Sequence, residues 1–178
     1  LSKLIGLTGK SGTGKTKACQ KIVHEAQNTG LSVFGFYCPA VFKGKEKTGI
    51  QVCLLPDEEI HLLGTLEKQD GWLSIGRWWM DPSIFECVND HLKKYNYCDW
   101  LIIDEIGPAE IENKKGWPAA LNLLKEGHFQ MAVVSFRPAY IDYFKENFPD
   151  IKIINLDKGG QAKLRDLMDR FCKPKLPV

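Results

Sequence analysis

Arginine is scarce in this chain of 178 residues. Only four of its 24 basic residues are arginine, at Arg77, Arg137, Arg165 and Arg170. Enzymes that clamp two phosphorylated substrates favour several arginines, because planar bidentate contacts suit phosphate, so the shortage argues against such a site. Excess charge is lacking too. A net charge of +2 gives no argument for a nucleic-acid or membrane partner. No apolar run approaches membrane-spanning length and no signal peptide is visible. The chain begins at Leu1, as expected if an initiator methionine was trimmed or not included. The six cysteines, Cys19, Cys38, Cys53, Cys87, Cys98 and Cys172, form no C-x-x-C pair and no compact Cys/His cluster, which excludes the usual zinc patterns. Several lie in apolar runs, where a thiol acts as a small hydrophobe. They read as reduced, and the expected location is cytoplasmic. Repeats and low-complexity linkers are absent. With 44% hydrophobic and 26% charged residues, the chain is long enough for one well-packed core. A single domain is expected over 1–172, with a ragged tail over 173–178.

What is present starts with Gly9-Lys10-Ser11-Gly12-Thr13-Gly14-Lys15-Thr16. Glycines bracket a four-residue gap, then come a lysine and a hydroxyl, the pattern of a phosphate-binding loop or Walker A motif. Glycines let backbone N–H groups turn inward around an anion. Lys15 would meet the β- and γ-phosphates, and Thr16 would offer its hydroxyl to Mg²⁺. The context fits: Leu4-Ile5-Gly6-Leu7 is a short apolar strand. Ala18, Ile22 and Ala26 mark a helix starting at about Gly14 and ended by Asn28-Thr29-Gly30. The alternative is a glycine-rich turn that binds nothing.

A second motif supports the first. Trp100-Leu101-Ile102-Ile103 is a continuous apolar strand running into Asp104-Glu105, the Walker B pattern. Asp104 would hold Mg²⁺ through water, and Glu105 could orient a water in line with the γ-phosphate and take its proton. The plainer alternative is two acids capping a turn. Arg137, after a strand, and Arg77 are the candidates to complete the charge on the phosphate.

Around these motifs strands alternate with helices, which predicts an α/β fold: a P-loop NTPase arrangement with a mostly parallel central sheet flanked by helices. Ligand should lie at the carboxyl ends of the strands. Adjacent Asp-Glu favours an extra strand between the phosphate-loop strand and the Asp104 strand. Strands are expected at Ser32–Tyr37, Met131–Val134 and Ile151–Ile154, with a short one at Glu59–Leu63. Helices are expected from Asp81-Pro82, from about Trp117, from Pro138 and at the end through Phe171. A β-hairpin insertion is predicted over about 36–55, turning through Lys43–Gly49, whose lysines could touch phosphate or simply be solvated. The tryptophans of Gly71–Met80 could stack on a base or cover the sheet, and Asp157–Gly160, after the last strand, could border the base.

Leu101-Ile102-Ile103-Asp104-Glu105-Ile106-Gly107-Pro108-Ala109-Glu110-Ile111 resembles the Asp-Glu-Ile-Gly-x-x-Glu-Leu signature of the thermophile-type nucleoside-triphosphatases, a family with a human cancer-related relative. Gly35–Pro39, Lys115–Leu121 and Val133–Pro138 resemble further family segments. Lys17, Pro108-Ala109 and Ile111 depart from the family pattern. The resemblance implies Mg²⁺-dependent hydrolysis of ATP, GTP and other nucleoside triphosphates with loose base preference. Gly9–Thr16 and Leu101–Gly107 would line the nucleotide site, with Lys15 and Glu105 catalytic and Thr16 and Asp104 at the metal. No nucleic-acid or membrane partner is indicated. The alternatives are a nucleotide or small-molecule kinase using the same loop, and a slow nucleotide-operated switch needing a partner. The switch should show Asn-Lys-x-Asp for guanine, which Asn155-Leu156-Asp157-Lys158 does not match.

Overall fold

The computed structural model describes residues 3–112 and 116–172. Lys115 and the expected tail at 173–178 lie outside the described residues. The first strand, β1 (Leu4–Thr8), is followed by the phosphate loop and α1 (Lys15–Asn28). Thr29, Gly30 and Leu31 donate their N–H groups back to Ala26 and Gln27, closing α1 where the sequence predicts. Next come β2 (Val33–Tyr37), β3 (Ala40–Lys43), β4 (Glu46–Leu55), β5 (Glu59–Thr65), β6 (Leu73–Ile75) and β7 (Trp78–Met80). The second half holds α2 (Pro82–Lys93), β8 (Cys98–Ile106), α3 (Pro108–Ile111), α4 (Pro118–Glu126), β9 (Phe129–Phe136), α5 (Ile141–Asn147), β10 (Lys152–Asn155) and α6 (Gly160–Phe171). Asp81 caps α2 as its Asp-Pro pair predicts, accepting the Ser83 N–H at 2.9 Å. The helix expected from Pro138 begins instead as a 3-10 turn over Pro138–Tyr140, and α5 follows.

All ten strands among the described residues join one sheet, ordered β10-β1-β9-β8-β2-β4-β5-β7-β6, with β3 on β4. From β10 to β2 neighbours run parallel; from β2 onward they run antiparallel. The parallel half matches the expected architecture, and β9 lies between β1 and β8, as the adjacent Asp-Glu pair suggests. The expected hairpin is β3–β4, and it grows through β5, β7 and β6 into an antiparallel wing. Its turn is shorter than Lys43–Gly49: Lys43 pairs with Glu46 and Phe42 with Lys47, so Gly44-Lys45 makes the turn and Lys47-Thr48-Gly49 belong to the strand. Cross-strand pairing outweighs the turn-like composition there.

Helices cover both faces. On one, Ala18, Cys19, Ile22, Val23 and Ala26 of α1 and Leu164, Leu167 and Met168 of α6 pack on Ile5, Leu7, Trp100, Ile102 and Val133. On the other, α2, α4 and α5 bring Phe85, Val88, Leu124 and Phe144 against Leu101, Ile103, Val134 and Phe136. Strand parity thus separates the residues of β8 from Trp100 to Ile103, even numbers towards α1 and odd numbers towards α2. Beyond Ile103 the register with β9 shifts: Ile103 faces Val134, but Ile106 faces Phe136. One extra residue in β8 makes a bulge at Asp104-Glu105.

Candidate active site

The carboxyl ends of β1, β2, β8, β9 and β10 gather the phosphate loop, Cys38, Asp104, Glu105, Ser135, Arg137 and Asp157 along one edge of the sheet. The loop is preformed. Gly12 and Gly14 take φ of +83° and +91°, values in the left-handed region that other residues adopt at a cost. Gly14 is the N-cap of α1 and supplies no side-chain cap, and no acid stands in the first turn. The first N–H groups of a 14-residue helix therefore lack an internal partner and point at the loop, the arrangement that attracts an anion. Lys15 is buried, and its ammonium donates to the carbonyls of Gly9 at 2.8 Å and Lys10 at 3.0 Å. Burial lowers its pKa, and the Glu105 and Asp104 carboxylates oppose that shift.

Asp104 is fully buried and held at both oxygens. The Ser135 hydroxyl donates to Oδ1, and the Cys38 N–H donates to Oδ2 at 3.0 Å. Ser135 lies on the α1-facing side of β9, as Asp104 does on β8, so two neighbouring strands set the contact. The same Ser135 oxygen accepts the Glu105 N–H at 2.9 Å. The Cys19 thiol also donates to Oδ1, at 3.9 Å, so Oδ2 is the oxygen that keeps a lone pair for a further partner, while the Thr16 hydroxyl stands at the start of α1. No group of three His, Cys, Asp or Glu side chains that could hold a metal occurs among the described residues. One carboxylate and one hydroxyl suit Mg²⁺, which takes few protein ligands and fills its shell with water and phosphate oxygens.

Glu105 sits at the bulge with φ of +65°, left-handed for a residue with a long side chain. The bulge turns this carboxylate out of the strand's packing and opens it to the crevice. Its surroundings and the adjacent Asp104 still push its pKa up, while Lys47, Lys15 and Arg137 pull it down. Arg137, exposed just past β9, thus acts on both Glu105 and Lys15. Arg77 instead stands over the Trp78 ring at 4.9 Å. Trp78 and Trp79 are half-buried on β7, and Trp78 packs on the core beside α2.

Four contributors escape a reading of the two motifs. Ser135 carries a faint signal, a buried polar residue in an apolar strand, and the Cys38 amide carries none. Asp157, expected near the base, accepts the Lys10 N–H at 2.8 Å and so braces the entry of the phosphate loop. Glu110 is buried and accepts N–H bonds from Gly107 at 2.9 Å and Trp117 at 3.2 Å, joining α3 to the start of α4.

Comparison with known proteins supplies the family and the fold. A family model described as NTPase matches residues 4–166. The chain is 26% identical over 165 residues to the nucleoside-triphosphatase THEP1 of Methanopyrus kandleri, covering 90% of this chain and 89% of that protein. It is 31% identical over 120 residues to the THEP1 protein of Ignicoccus hospitalis, covering 67% and 68% of the two chains. In fold it is similar to a human cancer-related nucleoside triphosphatase in solution, with a TM-score of 0.71, 22% identity and coverage of 94% and 96%. A crystal structure of THEP1 from Aquifex aeolicus gives a TM-score of 0.70, 18% identity and coverage of 94% and 98%. A family match along nearly the whole chain, on residues that carry both phosphate-site motifs, makes this protein a member of the NTPase family of nucleoside-triphosphatases.

Proposed function

We propose that the chain hydrolyses the terminal phosphoanhydride of nucleoside triphosphates, using Mg²⁺ and accepting several bases. Gly9–Thr16 would cradle the phosphates, and Leu101–Gly107 would form the facing wall. The observation that carries the reading is Glu105: a bulge and a left-handed backbone turn its carboxylate toward the crevice beside the clamped Asp104. Water attack on a γ-phosphate needs a carboxylate free to orient the water and accept its proton. Lys15, released from the Gly9 and Lys10 carbonyls, would neutralise the β- and γ-oxygens. Thr16 and Asp104 would hold Mg²⁺, Asp104 through bound water, and the ion would supply positive charge to the same oxygens. Loose base preference fits a site whose identified contacts all serve phosphate. Six free thiols, four of them buried, support the cytoplasm as its location, and we take 1–172 as one domain.

Phosphate release from ATP, GTP, CTP and UTP, with Mg²⁺ and with chelator, tests the proposal in wild type, Glu105→Gln and Lys15→Ala. Wild type should hydrolyse all four nucleotides only with metal. Glu105→Gln should lose roughly a hundredfold or more in rate while still binding nucleotide. Wild type that binds nucleotide but releases no phosphate, with Glu105→Gln unchanged, would overturn the hydrolase reading in favour of an acceptor substrate or an activating partner.

A further inference from the structure

Asp157 puts a carboxylate at the rim of a loop shaped to receive phosphate, where its charge opposes the ligand. The bond it makes accounts for its place. The peptide unit joining Gly9 to Lys10, at the entry of the loop, is gripped on both sides. Its N–H donates to Asp157 Oδ2 at 2.8 Å, and its carbonyl accepts the Lys15 ammonium at 2.8 Å. Hydrogen bonds to a charged partner are the stronger class, and here a carboxylate and an ammonium act on one peptide. The next carbonyl, that of Lys10, takes Lys15 at 3.0 Å and the Thr13 hydroxyl at 2.9 Å.

Asp157 and Lys10 are both exposed, so water competes for their bond. The backbone beneath Asp157 holds the carboxylate in place. Thr8 pairs with Asn155 across β1 and β10, which sets the end of the last strand beside the loop entry. The Asn155 side chain accepts the Asp157 N–H at 2.9 Å, and Leu156 between them is buried in the cluster under α1 and α6. On the other side of the bond the chain is freer. A Cβ on Gly9 would stand 2.6 Å from the Thr13 hydroxyl, so the position takes glycine, whose torsions are the least restricted of any residue.

We propose that Asp157 is a positioning residue for nucleotide binding, a clamp that keeps the Gly9–Lys10 peptide oriented once Lys15 leaves its carbonyl for phosphate. The proposal rests on the nucleoside-triphosphatase reading. Before nucleotide arrives, Lys15 and Asp157 share the peptide; afterwards Asp157 holds it alone. Without the clamp, a glycine-led loop entry wanders, and bound nucleotide must order it at the expense of affinity. That expense is the same for the bound substrate and for the transition state, so it is carried by KM and not by kcat.

Asp157→Asn and Asp157→Ala carry the same charge, so the difference between them isolates the bond from the repulsion of the carboxylate. With Mg²⁺, the alanine variant should bind both ADP and a non-hydrolysable ATP analogue roughly fivefold or more weakly than the asparagine variant, the scale of one hydrogen bond. Its kcat/KM should fall by the same factor through KM. In the wild-type protein, exchange of the Lys10 N–H with solvent, followed by NMR with isotope-labelled lysine, should be slow both before and after nucleotide binds. Equal affinities in the two variants, a loss carried by kcat, or a wild-type Lys10 N–H that exchanges freely would overturn the clamp and leave the hydrolase reading intact. The expected difference in affinity, found in a protein that releases no phosphate, would support the clamp and sink the hydrolase reading.

Discussion

Glu105 and Glu110 stand five residues apart and do opposite things with the same carboxylate. Glu105 is turned outward by a strained backbone and makes its contacts through charge. Glu110 is buried and spends both oxygens on backbone N–H groups, with Gly116 so close that any side chain there would collide with it. Burial pushes the Glu110 pKa up to about 6 despite those two bonds. A carboxyl whose pKa is raised by folding binds its proton more tightly in the folded chain. Its contribution to stability is therefore complete below the unfolded value of about 4.3 and is lost as pH climbs towards 6. The loss is about 2 kcal/mol at 1.36 kcal/mol per pKa unit. Glu110→Gln removes that titration and misdirects an amide at one N–H, so the variant should be less stable by about 1–3 kcal/mol at low pH. Urea unfolding across pH 4–7 should then show wild-type stability falling more steeply than the variant's. Parallel profiles would mean that Glu110 keeps an ordinary pKa.

Among elements, β2 has the hardest position, pairing in parallel with β8 and antiparallel with β4. Gly35 makes this possible: at φ of +109° its α-carbon lies against Ile102, and a Cβ would overlap that residue's carbonyl. Gly35→Ala should cost more than about 3 kcal/mol or abolish folding, because a backbone collision in a sheet centre cannot be relieved by a rotamer change. The check is thermal unfolding, or the yield of folded protein if none survives. Legibility in the sequence follows the same line. The α1 stripe, the Asp81-Pro82 start of α2 and the apolar run of β8 can be read directly, because each is decided by residues close in sequence. The phosphate loop and Asp104-Glu105 are legible for the same reason. The β3–β4 turn is misread since Lys47-Thr48-Gly49 has the composition of a turn, and only its partners Phe42 and Val41 make it strand. Ser135 and the Cys38 amide join the site through strand register, and a bulge with a left-handed glutamate leaves no mark in the order of residue types.

On the scale of the whole molecule, the candidate site is a seam: five strand ends contribute to it, and the Gly9–Thr16 loop comes preformed. Nucleotide should therefore stabilise the entire fold and not one loop. At 100-fold excess over Kd the gain is about 2.7 kcal/mol, read as a rise in melting temperature with ATP analogue concentration. Lys15→Ala should largely abolish that rise; an unchanged rise would place the nucleotide elsewhere. The strand order also bears on how the chain is made. The neighbours of β1 on its two sides are β9 and β10, which contribute residues 129–136 and 152–155. During synthesis the phosphate loop thus leaves the ribosome before either neighbour, and its supporting strand stays unpaired until residues 129–136 have followed. Any grip on nucleotide must therefore wait for β9 and β10, and a fragment that stops before them carries the motif without its supporting strands.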